Sequence, residues 1–86
     1  MNRYFVFIVN NGFSSPFFIR CYGRNKVIIK HDSIMITISD TRGFDCTKSE
    51  FMSLISRNYG LDYVKKYTKK CLLFEVSQDE FKAFND

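Results

Sequence analysis

Tryptophan is absent from this chain, proline and histidine occur once each, and glycine only four times. A single histidine starves most acid–base and metal-ligating arrangements, which draw on two or more such groups. His31 is followed by Asp32, but a phosphohydrolase built on an H-D pair needs further histidines and aspartates that this chain does not supply. A His–Cys nucleophile pair is disfavoured by the place of His31 near a hairpin turn, where a surface imidazole is expected. The spacings of a P-loop, of G-x-G-x-x-G and of G-x-S-x-G are all missing. Long apolar runs are missing too. The longest, Tyr4 to Val9, has six residues, against about 20 for a membrane-spanning helix and about 7–15 for a secretory core. The expectation is a non-enzymatic cytoplasmic protein with no cofactor, no metal and no membrane partner.

Cysteines are few and odd in number. Cys21, Cys46 and Cys71 lie 25 residues apart each time, with no C-x-x-C pair. A disulfide framework or a zinc site has little support in that pattern. Three small apolar side chains in a reducing compartment is the expected reading.

What the chain does have is apolar bulk. Of 86 residues, 45% are hydrophobic and 17% aromatic, ten Phe and five Tyr among them. That content excludes disorder, and the length allows one domain. Residues with A/T-rich codons (Phe, Tyr, Met, Ile, Asn, Lys) make up 40 of the 86. Phages, other viruses and some low-G/C bacteria encode proteins of this kind, and a phage product would work in the host cytoplasm.

Periodicity lays out the elements. Residues 3–9 are apolar on both alternating faces, as in a strand buried on two sides near the centre of a sheet. Asn10-Asn11-Gly12 closes that strand with turn chemistry. Residues 15–23 admit a short helix capped by Ser15 or an aromatic strand, and the alternation of Phe17, Ile19 and Cys21 with Phe18, Arg20 and Tyr22 favours the strand. Lys26–His31 and Ile34–Ser39 form a hairpin across Asp32-Ser33. Thr47 and Glu50 make a capping box for a helix to about Asn58, with Phe51, Leu54, Ile55 and Tyr59 inward and Gly60 as its stop. Leu61–Lys70 reads as a second short helix and 71–77 as a strand. Ser77 and Glu80 then open a closing helix that carries Phe81 and Phe84 inward. The predicted fold class is α+β: one small domain over 1–86, an antiparallel sheet of four to five strands packed with two to three short helices.

Charge is segregated. The total is +4, but residues 1–31 carry Arg3, Arg20, Arg24, Lys26 and Lys30 with no acid, and 63–74 carry Lys65, Lys66, Lys69 and Lys70 alone. The segments between and after these blocks are net acidic, −2 over 32–62 and −3 over 75–86. On a helix the four lysines share one broad face, flanked by Tyr63 and Tyr67, whose rings would stack on bases. Lysines with adjacent aromatics suit a phosphate backbone. If 17–22 pairs with 26–31, then Arg20, Arg24, Lys26 and Lys30 crowd one hairpin and reinforce the field. The alternative is a solvated face that merely keeps the chain soluble.

Val6-Phe7-Ile8-Val9-Asn10 resembles the first five positions of the aromatic motif on strand 1 of RNA-recognition-motif domains. Arg42-Gly43-Phe44 is similar to the opening of that family's second motif. The resemblance covers eight residues of the 86. It stops there, because Asp45-Cys46-Thr47 replaces a small residue and further apolar positions, and no helical pattern follows the first strand.

The sequence expectation is therefore a small basic binding protein for RNA, single strands or a nucleic-acid-containing complex. The candidate contacts are Lys65, Lys66, Lys69, Lys70, Tyr63, Tyr67, Arg20, Arg24, Lys26 and Lys30. The alternative is a phage-type antagonist, antitoxin-like or anti-defence, that binds a host protein or ribonucleoprotein. A homodimer would hide surplus aromatics and double the basic surface.

Overall fold

The computed structural model describes residues 2–9, 15–23, 25–39, 43–59 and 71–85. Five strands are β1 (Asn2–Val9), β2 (Phe17–Tyr22), β3 (Lys26–His31), β4 (Ile34–Ser39) and β5 (Cys71–Val76). Two helices are α1 (Lys48–Tyr59) and α2 (Gln78–Asn85). The strands form one antiparallel sheet in the order β4-β3-β2-β1-β5. The first four are a meander, and β5 returns to pair along the free edge of β1. The expected α+β domain is what the chain adopts. The helix expected over 61–70 lies outside the described residues.

Each local signal has its physical counterpart. β1 sits between β2 and β5 and is buried on both faces from Tyr4 to Phe7. Pro16 stands just ahead of β2, so its missing N–H costs the ladder nothing. Gly23 turns the chain into β3 with φ near +60° and open space around it. Asp32, at φ 55°, makes the β3–β4 turn in the left-handed region that Asp tolerates. At α1, the Thr47 Oγ1 accepts from the Glu50 amide at 3.3 Å, and Glu50 Oε1 accepts from the amides of Thr47 at 3.4 Å and Asp45 at 2.8 Å. At α2, Ser77 Oγ accepts from the Glu80 amide at 3.2 Å, and Glu80 Oε1 accepts from the Ser77 amide at 3.0 Å. Both capping boxes are formed.

Because strand side chains alternate, the register sorts them onto two faces. Phe5, Phe7, Val9, Phe17, Ile19, Cys21, Val27, Ile29 and Cys71 share the face covered by α1, whose Phe51, Met52, Leu54 and Ile55 are buried against them. Phe51 is the hub: its ring centroid lies 5.1 Å from Phe5, 5.2 Å from Phe44 and 6.2 Å from Phe7. The opposite face carries Tyr4, Val6, Phe18, Arg20 and Tyr22, and α2 lays Phe81 on it, 5.1 Å from Tyr4 and 6.1 Å from Phe18. Two expectations need correcting. Phe84 is 59% exposed rather than inward, its ring only tilting against Phe18 at 6.3 Å, because α2 is eight residues long and ends beyond the part of the sheet it covers. The His31 side chain, with 12% exposure, stacks on Phe17 at 4.3 Å instead of standing free at the surface, since its place in β3 aims it at the α1 face.

Candidate nucleic-acid interface

The antiparallel register of β2 and β3 pairs Phe18 with Lys30, Arg20 with Ile28 and Tyr22 with Lys26. Arg20, Lys26 and Lys30 therefore emerge on one face of two adjacent strands, the face away from α1. Hairpin pairing, which the sequence required for these cations to meet, is in place. Met35, Thr37 and Ser39 of β4 continue this face and are exposed, so no described element covers its β3–β4 half. Strands β1 to β4 contain no Asp or Glu, which leaves the cations of this face without a carboxylate neighbour on their own strands.

The three cations differ in their freedom. Arg20 is half-buried, with its Cζ 5.4 Å from the ring centroid of Phe81, 5.6 Å from Tyr4 and 5.9 Å from Tyr22. Its Nη1 donates to Tyr22 Oη at 2.9 Å, while its buried Nε makes no hydrogen bond among the described residues. The guanidinium is thus held in an aromatic cage, a favourable arrangement for a weakly hydrated planar cation. Lys26 is exposed, its Nζ 5.3 Å from the centroid of Tyr22. Lys30 is half-buried four residues along the same strand, about 13 Å away at the usual strand rise. The row Lys26–Tyr22–Arg20–Tyr4 alternates cation and ring across three strands. Sequence reasoning missed Tyr4 and Tyr22 as members of this row. Their parity with Arg20 was legible, but the register that brings β1 against β2 was not.

Arg24, Tyr63, Lys65, Lys66, Tyr67, Lys69 and Lys70 lie outside the described residues. Arg3, counted in the same basic block, points to the α1 face and forms a bidentate pair with Glu75, at 2.8 and 2.9 Å. Those bonds hold the Glu75 carboxyl below its ordinary value and raise the Arg3 guanidinium further. The strand-1 motif resemblance on β1 also loses its setting, because β1 pairs directly with β2 in antiparallel register. Among the described residues no three metal-ligating side chains cluster, and no helix is long and apolar enough to cross a membrane.

A second surface feature adjoins α2. Val6, Ile8, Pro16, Phe18, Phe74, Val76 and Phe84 line an open groove of about 480 Å³, with Glu75 and Glu80 at its rim. Leu72 and Phe74 of the edge strand β5 are each about half exposed beside it. The chain matches no protein-family model, no curated protein and no solved structure.

Proposed function

We propose that this chain is a small non-enzymatic binding protein for RNA or single-stranded nucleic acid, and that the open face of β2 and β3 is part of its contact surface. The observation that carries the reading is the gathering of Arg20, Lys26 and Lys30 with Tyr22 on one face of two strands that carry no Asp or Glu. Lys26 and Lys30 neutralise phosphates. Tyr22, half-buried between Arg20 and Lys26, sets an aromatic ring among the cations, and base stacking on aromatic rings favours unpaired strands. The lysines of 65–70 supply further phosphate contacts in this reading.

The test is fluorescence anisotropy with labelled single-stranded RNA, single-stranded DNA and duplex DNA at low and physiological salt. Binding in the micromolar range is expected, tightest for single strands and weakening with salt. Four phosphate contacts on a single strand give a log–log slope of about −3. Flat traces at low salt overturn the proposal.

The groove beside α2 favours a second reading, an antagonist or regulator of phage type that binds a host protein. Exposed Leu72, Phe74 and Phe84 are what an apolar contact would use. A partner that survives nuclease treatment and is lost on Phe74→Glu or Phe84→Glu selects this reading over the first.

A further inference from the structure

Two of the three cysteines meet, although 25 residues separate them in the chain. Cys21 lies near the end of β2 on the α1 face, opposite Arg3. Cys46 lies in the irregular segment that leads into α1. The Cys46 thiol donates to Cys21 Sγ at 3.4 Å, with the two residues 9% and 1% exposed. Cys46 holds φ at 57°, a left-handed conformation that side chains with a Cβ adopt at a cost. The same turn fixes its thiol against Cys21. Cys71 is elsewhere: it pairs with Val9 at the far end of β1, six residues and about 20 Å along the sheet from the Arg3–Cys21 pair. Its thiol donates to Met52 Sδ at 3.6 Å.

We propose that Cys21 and Cys46 are a two-electron thiol–disulfide site, which a low-molecular-weight disulfide of the glutathione type oxidises to an intramolecular bridge between β2 and the entry to α1. In the first step one protein thiolate attacks a sulfur of the small disulfide. The oxidant's S–S bond breaks, a mixed disulfide forms, and one small thiol leaves with the proton given up by the cysteine. The second cysteine, as thiolate, then displaces the remaining small thiol, and the Cys21–Cys46 bond forms. Each cysteine has lost one electron, and the oxidant has become two thiols.

Access sets the rate. Burial pushes the Cys21 thiol well above its ordinary pKa, the hydrogen bond with Cys46 adds to the shift, and the Arg3 guanidinium opposes it. The closed fold therefore holds few thiolates, and exchange proceeds as the segment before α1 opens. Position sets the equilibrium, because the fold already holds the two sulfurs together.

The test uses the full chain in glutathione buffers of graded ratio. Equilibrium is approached both from reduced folded protein and from protein oxidised in urea and returned to buffer. Acid quenching, alkylation under denaturing conditions and mass spectrometry then count the free thiols. The expected result is loss of two thiols, a Cys21–Cys46 cross-linked peptide and an alkylated Cys71. Folded protein should favour the bridge on the order of 100-fold over the same chain in urea, the size of effect that closing a loop of this length has on folding. Cys71→Ser should bridge as the parent does, and Cys46→Ser should form no intramolecular bridge. Three alkylatable thiols reached from both directions, a bridge involving Cys71, or no preference over the urea-unfolded chain overturns the proposal.

Discussion

The two faces of the sheet are built from the same strands and do different things. On one, α1 closes a dry layer in which Phe5, Phe7, Phe44 and Phe51 interlock and Ile19 and Ile29 are fully excluded from solvent. On the other, α2 covers only the region of Tyr4 and Phe18, leaving cations, rings and an apolar groove open. Alternation along each strand is what separates them, with odd-numbered residues of β1 and β2 serving the core and even-numbered ones the open face. On the proposed reading, stability and recognition can therefore be changed independently at the residues α2 leaves uncovered, whereas even-numbered Tyr4 and Val6 are buried.

The largest effect should come from the closed face. Phe51→Ala removes the ring that three others pack on and should cost about 3–5 kcal/mol, read as a lower urea midpoint. Phe84→Ala, on the open side, should stay within about 0.5 kcal/mol. Equal losses from the two would erase the distinction between faces. Next in size is the open face's own readout. The double variant Lys26→Glu/Lys30→Glu should weaken single-stranded RNA binding by more than about tenfold and flatten the salt slope by about 1.4 units, two phosphate contacts' worth. Its urea midpoint should stay near the parent's. Unchanged affinity would remove this face from the binding surface.

Smaller effects refine the contrast. Thr47→Ala and Ser77→Ala each remove a cap and should cost about 1 kcal/mol. The first should show in global unfolding, the second chiefly in faster hydrogen exchange of α2. The smallest effect belongs to Arg3–Glu75, an exposed pair worth a few tenths of a kcal/mol. Its sign with pH is definite. Glu75's carboxyl is held below its ordinary value by Arg3, so the contribution is fully present above the unfolded-state value near ~4.3. It is lost as pH falls through the lower folded-state value. Glu75→Gln should therefore lower stability slightly at neutral pH and converge with the parent in acid.

The elements that the sequence made legible are those whose signal is local. The two capping boxes, the hairpin across Asp32-Ser33 and the double-sided apolar run of β1 each depend on neighbours within a few residues. The misplaced residues all depend on the register or on the length of a partner element. His31 is aimed inward by its parity in β3, and Phe84 is left out because α2 runs past the part of the sheet it covers. The Arg20 cage draws on β1, β2 and α2 together, and no spacing within one segment announces it. The meeting of Cys21 with Cys46 has the same origin, a strand end and a loop brought together only by the packing of α1. Of the candidate contacts, Arg20, Lys26 and Lys30 were legible as a hairpin cluster because period-two alternation and the Gly23 turn suffice to place them.

The position of β5 has a consequence for the order in which the chain assembles. β1 to β4 can zip as successive hairpins while the polypeptide is emerging, but β1 pairs with β5 across as many as 72 intervening steps of sequence, Tyr4 with Val76. Until residues 71–76 are synthesised, a strand apolar on both sides keeps one edge open, with α2 not yet present to cover Tyr4. Contacts of such separation form late and slowly. This sheet should thus have the strand with its longest apolar run as its temporary border, the place where a nascent chain needs a chaperone or risks pairing with a neighbour.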